Sequence, residues 1–220
     1  MAHGATDAGM LRLTSADCCL GVIVRLQVQE SSLKVGQQPA RRYDPTPLRE
    51  VAALTVTAEG VMAPGKDGDQ IVDVHHRDHP ASKQRLGVNA LSIGFTAHYA
   101  AMRDRFGVHL SDGIAGENIL VETERMLREE DLAGGVTIET QGGASVPLQR
   151  IVVAAPCVEF SRYVLRFPDD HRPDATVTEA LQFLHQGMRG YYASYEGEPV
   201  LIRVGDRLLI AEGDTGTIRS

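Results

Sequence analysis

Leu20-Gly21-Val22-Ile23-Val24-Arg25-Leu26-Gln27-Val28-Gln29 sets Leu20, Val22, Val24, Leu26 and Val28 against Gly21, Ile23, Arg25, Gln27 and Gln29. A period of two belongs to a half-buried β-strand. Working outward, the β-branched run Val51–Thr57 reads as a second strand, and Ile71–Val74 resumes a short one after the turn-rich Pro64–Asp69. Residues 30–47, with prolines and adjacent arginines, read as mostly loop. Val136–Thr140, Leu148–Ala154, Gly190–Tyr195, Val200–Val204 and Arg207–Ile210 read as further strands. Gly205-Asp206 between the last two is a hairpin signal.

Helical spacing is rarer. Phe95, Tyr99, Met102 and Phe106 recur at four, three and four, predicting one apolar helix face, with Gly107 as a left-handed cap. Val177, Leu181, Leu184 and Met188 predict a second helix, opened by a capping box at Thr176 and Glu179. A short charged helix is expected within 124–131. Many short strands with interspersed helices predict a mainly β, barrel-like domain rather than an alternating doubly wound one.

The chain has 220 residues, 43% hydrophobic and 23% charged, an ordinary globular composition. Residues 17–212 read as one domain between tails at 1–16 and 213–220. A formal net charge of -7 and the absence of tryptophan argue against nucleic acid and anionic membrane surfaces as partners. No basic and apolar leader opens the sequence, and no apolar stretch is long enough for a spanning helix. The three cysteines (Cys18, Cys19 and Cys157) have neither disulfide-framework nor zinc-ligand spacing, so a reducing cytoplasm is the expected setting.

Four constellations could carry chemistry. In Gly113-Ile114-Ala115-Gly116-Glu117-Asn118-Ile119, the glycines let backbone approach a ligand and the Glu-Asn pair offers acceptor and donor; the alternative is a turn into a strand. In Ala155-Pro156-Cys157-Val158-Glu159, the proline ends a strand, so Cys157 falls at its terminus. A helix starting near Val158 would favour the thiolate, and Arg162 one turn on would add positive charge; the alternative is a buried structural cysteine. His75-His76-Arg77-Asp78-His79 has an i, i+4 histidine pair, but the preceding strand and Pro80 argue against the helix a shared metal would need. Arg189, between Gly187 and Gly190, is placed to reach a carboxylate or phosphate, or to tie a loop. Serine-hydrolase, P-loop and dinucleotide-binding signatures are absent.

Taken in order, these segments resemble the MOSC domain, the family named for the C-terminal domain of molybdenum cofactor sulfurase. The anchors are Gly68-Asp69 with the histidines of 75–79, Gly116-Glu117-Asn118-Ile119, Pro156-Cys157, Arg189-Gly190-Tyr191-Tyr192-Ala193 and Gly205-Asp206. The resemblance implies a barrel-like β fold of the stand-alone type, a pocket for the molybdenum cofactor (molybdopterin), and Cys157 as molybdenum ligand or sulfur carrier. It implies either reduction of N-hydroxylated small molecules with an electron-transfer protein, or a non-catalytic module taking persulfide sulfur from a pyridoxal-phosphate cysteine desulfurase. The cofactor-binding candidates are Gly116, Glu117, Asn118, Arg189, His76, Lys83 and Arg162. Two positions depart from the family's pattern. Ala154 stands where arginine is common, leaving Arg150 or Arg162 to supply the charge, and His-His-Arg-Asp-His-Pro replaces a His-Gly-Gly segment.

Overall fold

The computed structural model describes residues 19–83 and 89–210. The strands are β1 (Cys19–Gln29), β2 (Lys34–Val35), β3 (Arg42–Tyr43), β4 (Leu48–Val51), β5 (Ala53–Thr57), β6 (Gly60–Pro64), β7 (Gln70–Val72), β8 (Leu91–Phe95), β9 (Ile119–Glu122), β10 (Val136–Glu139), β11 (Ser145–Val153), β12 (Tyr191–Ser194), β13 (Val200–Arg203) and β14 (Arg207–Ile210). The α-helices are α1 (Thr96–Phe106), α2 (Glu129–Leu132), α3 (Val158–Leu165) and α4 (Ala175–Phe183). Cys18 and both tails lie outside the described residues.

Hydrogen bonding runs β14–β10–β11–β12–β8–β9–β1 and back to β14, closing a seven-stranded barrel, with β4 added beside the far end of β1. Closure leaves no unpaired edge in that ring. Every neighbouring pair is antiparallel except β8 and β9, and α1 lies on the crossover that parallel strands require. A second sheet, β13–β5–β6–β7, packs on the barrel. The main core joins Ile23, Leu26, Leu54, Val56, Ile93, Val121 and Ile202 from both sheets. A second cluster lies under the helices, built from Tyr43, Tyr99, Met102, Phe160, Leu184 and Met188.

The first strand is where the expected alternation breaks. Ile23 and Leu26 are fully buried while Val22 and Val24 are each 37% exposed. Ile23 pairs with Val121 and Arg25 with Leu120, so Val24 is an extra residue, and a bulge of one residue reverses the facing of everything before it. Gly21 is needed beside it, because a Cβ there would lie 1.9 Å from the Glu122 carbonyl oxygen.

Three other expectations are corrected. Phe95 ends β8 and packs in the main core, so the helix begins after it; Gly107 does end α1 at a positive φ (φ 113°, ψ 163°), though outside the αL well. The second helix is capped by Asp174, whose carboxylate accepts from Val177 N (2.9 Å), because α4 begins at Ala175 and puts Thr176 and Glu179 inside it. It continues as a π turn over Leu184–Met188, which keeps Leu184 and Met188 buried. Gly205-Asp206 joins no hairpin. β13 pairs with β5 and β14 with β1 and β10, so the turn is a corner between the two sheets.

Asp206 holds that corner, accepting from Arg203 N (2.7 Å) and Gln141 N (2.9 Å) while its carbonyl accepts from Ile23 N (2.8 Å). Asp206→Ala strands two backbone donors and is expected to lower stability by about 2–4 kcal/mol in urea unfolding. A loss below about 0.5 kcal/mol would mean the corner holds without it.

Candidate functional site

Just past β7 the chain buries Asp73, which has no exposed surface. Its Oδ2 accepts from Gln29 N (2.7 Å) and Asn118 Nδ2 (2.8 Å). Its Oδ1 accepts from His75 N (2.9 Å) and meets His75 Nδ1 (2.9 Å). Burial pushes this carboxyl up, but His75 and Gln29 outweigh it and hold it below the ordinary range. With Nδ1 spent on Asp73, the His75 ring is oriented, facing the Tyr192 ring at 6.1 Å.

Asn118 is equally committed. Its Oδ1 accepts from Ser92 N and Ser92 Oγ (3.0 Å each), and its Nδ2 donates to the Gln27 carbonyl (3.3 Å) as well as to Asp73. Next to it, Glu117 is 3% exposed and fits only because residue 94 is glycine, where a Cβ would lie 2.6 Å from Glu117 Oε1. Glu117 Oε2 accepts from the Tyr99 hydroxyl (2.9 Å), which itself accepts from Ala115 N (3.0 Å). Oε1 has no hydrogen-bond partner among the described residues. Burial raises the Glu117 carboxyl to about 7, against the pull of its own backbone N–H, Tyr99, Arg189 and Arg25.

Arg189 follows the π turn and is part exposed. Its Nε is sealed and without a partner among the described residues, and Nη1 reaches only the Tyr192 hydroxyl, at 3.5 Å. Burial works against its charge, but Tyr192, Tyr43 and Cys157 outweigh burial and keep the guanidinium charged. His75, Gly116, Glu117, Ala154, Arg189 and Tyr192 share the wall of one enclosed cavity of about 10 Å³, room for a single water.

Cys157 completes the cluster. It is half-buried at the N-cap of α3, and its Sγ accepts from Phe160 N (3.5 Å). Two residues on, the Glu159 carboxylate is 3% exposed and paired with Arg41 Nη2 and Nε at 2.6 Å. Burial pushes the Glu159 carboxyl up, but its own backbone N–H, Arg41 and Cys157 bring it below its ordinary value. Tyr43 links the two halves. It feels the charge of Arg189, Glu117 and Cys157, and with Glu159 it lines a 340 Å³ pocket shared with Tyr163, His109 and Arg166.

Residues 77–209, more than half of the chain, match the family model of the MOSC domain. The chain belongs to the MOSC domain family. No curated protein matches the sequence. Among solved structures, the YuaD protein of Bacillus subtilis is similar at 14% identity, with 87% of this chain and 93% of that one covered and a TM-score of 0.49. YiiM of Escherichia coli is similar at 18% identity (73% and 63% covered, TM-score 0.44), and YiiM of Geobacillus stearothermophilus at 16% (90% and 77% covered, TM-score 0.38).

Against this MOSC domain, the residues singled out in the sequence divide. Arg189, Glu117 and Gly116 share one cavity wall, and Cys157 is close enough to interact electrostatically with Arg189 and Tyr43. Gly116 (φ 90°) has no room for a side chain, since a Cβ would meet Leu33 Cδ1 at 2.7 Å. Asn118 is a joint whose amide is taken up by protein groups. Arg162 Nη1 donates to the carbonyls of Pro39 (3.4 Å), Arg41 (3.5 Å) and Asp169, tying loops together. Arg150 is exposed and paired with Glu196. Ala154 itself lines the cavity, and the guanidinium present there is that of Arg189.

His76 lies under the β5–β6 turn, its Cα 2.7 Å from where a Cβ of Gly60 would be, and its Nδ1 accepts from Asp78 N (3.2 Å). The histidine of the cavity is His75. Lys83 is exposed and lines neither cavity described above. His79 meets the Glu30 carbonyl (3.2 Å) rather than His75, and no group of three metal-ligating side chains gathers among the described residues. Cys19 is exposed at the start of β1. Sequence reading gives no site role to Asp73, Tyr43, Tyr99, Arg41 or Glu159. Only Asp73, a charge inside the apolar run Ile71–Val74, carried a local signal.

The site makes a pH prediction for stability. The Glu117 carboxyl stands at about 7 in the fold against an ordinary 4.5, so the folded state binds more protons across that interval. Its contribution is therefore fully present below 4.5 and is lost as pH rises through 7, by up to about 3 kcal/mol. Glu117→Gln removes this fall. Urea midpoints of wild type and variant should diverge between pH 5 and 8, the variant becoming the more stable; parallel curves would contradict the assignment.

Proposed function

We propose that this MOSC domain binds the molybdenum cofactor, with the Cys157 sulfur as a metal ligand and Arg189 receiving an anionic end of the group, and that it reduces N-hydroxylated compounds. The observation that carries the reading is the sealed Arg189 Nε, a buried donor without a partner in the same cluster as a part-exposed thiol. A buried donor left unpaired in the free protein is a fit for a ligand acceptor. The donor set fits the group as well, because a thiolate suits a soft, high-valent metal and a guanidinium suits a phosphate. The cavity beside Arg189 has room for no more than one water, so the body of a pterin would lie outside it, toward the pocket lined by Tyr43 and Glu159.

When bound, the group supplies two-electron redox chemistry at a metal able to take up oxygen. The chain's residues do the rest. Phe160 N–H, at the start of α3, stabilises negative charge on the Cys157 sulfur. Glu159, two residues on, is itself fixed by Arg41. Tyr43 and Tyr163, 5.2 Å apart, present apolar walls to a small substrate. The overall reaction is R–NHOH + 2e⁻ + 2H⁺ → R–NH₂ + H₂O, the electrons coming from a separate electron-transfer protein.

The test is anaerobic native mass spectrometry of protein from a molybdate-replete host. The expected result is a mass excess that disappears on denaturation, absent in Cys157→Ser, with reduction of a hydroxylamine lost in that variant. Serine is a good N-cap, so Cys157→Ser keeps α3 and its melting temperature. An extra mass of one sulfur mapped to Cys157 would instead support the sulfur-carrier reading. Undiminished loading and turnover in Cys157→Ser would overturn the metal-ligand role.

A further inference from the structure

The cavity behind Arg189 holds a second buried group that the proposed reaction does not use. Glu117 and Arg189 line the same enclosed space, yet Glu117 Oε1 and Arg189 Nε are both left without partners and no ion pair joins the two side chains. Arg189 is part exposed, so an anion can reach it from outside while Glu117 stays enclosed behind it. The Tyr99 hydroxyl occupies Oε2, which leaves Oε1 to carry the proton of the neutral acid. Besides Arg189, the charged and titratable groups facing Glu117 are Tyr99 from α1, Arg25 from β1, Tyr43 from β3 and His75 after β7.

Resting on the reading of Arg189 as the anion-holding residue, we propose that oxyanion binding at Arg189 is coupled to protonation of Glu117, the anion binding best when Glu117 is neutral and drawing one proton from solvent when it is not. Ionised Glu117 both neutralises the guanidinium and repels an incoming anion, whereas neutral Glu117 leaves Arg189 uncompensated and offers a donor of its own. Linkage makes the effect reciprocal: whatever protonation does for the anion, the anion does for protonation. The site would thus take up its ligand's negative charge and a proton together, the proton offsetting one unit of that charge. The neighbouring tyrosines and arginines hold one protonation state between pH 5.5 and 8. His75 lines the same cavity, so it is the required control.

The experiment is isothermal titration of the full chain with sodium sulfate, an oxyanion that carries no proton in this range, in buffers of different ionisation enthalpy. Uptake near zero is expected at pH 5.5, rising toward one proton per sulfate at pH 8, with affinity falling by up to about tenfold per pH unit above 7. Glu117→Gln should bind sulfate with no uptake and no such fall, and His75→Gln should retain both. Wild-type binding at pH 8 without uptake, or uptake that persists in Glu117→Gln, overturns the coupling while leaving Arg189 an anion holder. Absence of sulfate binding at pH 5.5, or binding undiminished in Arg189→Ala, overturns that reading of Arg189 and the coupling with it.

Discussion

Asp73 carries a charged group with no exposed surface, and the fold tolerates it because four donors reach its two oxygens. Taking a carboxylate out of water costs several kcal/mol unless it is fully bonded. These four bonds come from separate places: the end of β1, the entry to β9, and the segment leaving the second sheet. Val74 N adds a bond to the Gln29 carbonyl (2.8 Å) at the same junction. The carboxylate therefore stitches the second sheet to the barrel and orients His75 in one act. Asn118, held by Asp73, Ser92 and Gln27, fixes the backbone of Glu117 beside it. Loosening Asp73 would release both residues that face Arg189 across the cavity.

Two buried glutamates on this framework meet different fates. Glu159 has Arg41 at 2.6 Å and stays ionised, two residues from Cys157. Glu117 has a phenol and a backbone N–H but no direct ion pair, and burial prevails. The two glutamates thus give one permanent charge near the sulfur and one conditional charge behind the guanidinium. Residues of one type are set apart by environment alone, the usual way a single site holds opposed protonation states.

Much of this was legible in the sequence, and the failures have physical causes. Strand existence came through because period-two patterns and β-branched runs survive folding, and the Pro156-Cys157 strand end with a helix at Val158 is where the local signals put it. The facing of β1 did not come through, because a bulge is one extra residue with no composition of its own; Gly21 was its only trace. Gly205-Asp206 has hairpin chemistry, but pairing partners are decided by which sheet has an open neighbour, a non-local fact. His76 was preferred to His75 because nothing in adjacent histidines says which one a distant carboxylate will hold. Arg162 was read as a free cation, and three carbonyls from loops far away in sequence claim it. Ala154 left a missing charge that only the fold could refill, with an arginine 35 positions later in the chain.

The parallel pair explains why the site forms where it does. An otherwise antiparallel barrel could be closed with short turns, but β8 and β9 run the same way, and the chain must leave β8 and return to the beginning of β9. That return passes through α1, which carries Tyr99 one turn beyond Phe95, and ends at Gly116-Glu117-Asn118 just before Ile119 pairs with Ile93. Tyr99 and Glu117 are 18 residues apart in sequence yet meet at 2.9 Å, because both lie where the crossover begins and ends. Gly94, at the departing end of β8, leaves the space that Glu117 enters. On β8's other side β12 pairs through Tyr191 and Ile93, and Arg189 stands two residues before that pair. A buried acid and a part-exposed arginine are thereby delivered to one cavity by the two neighbours of a single strand.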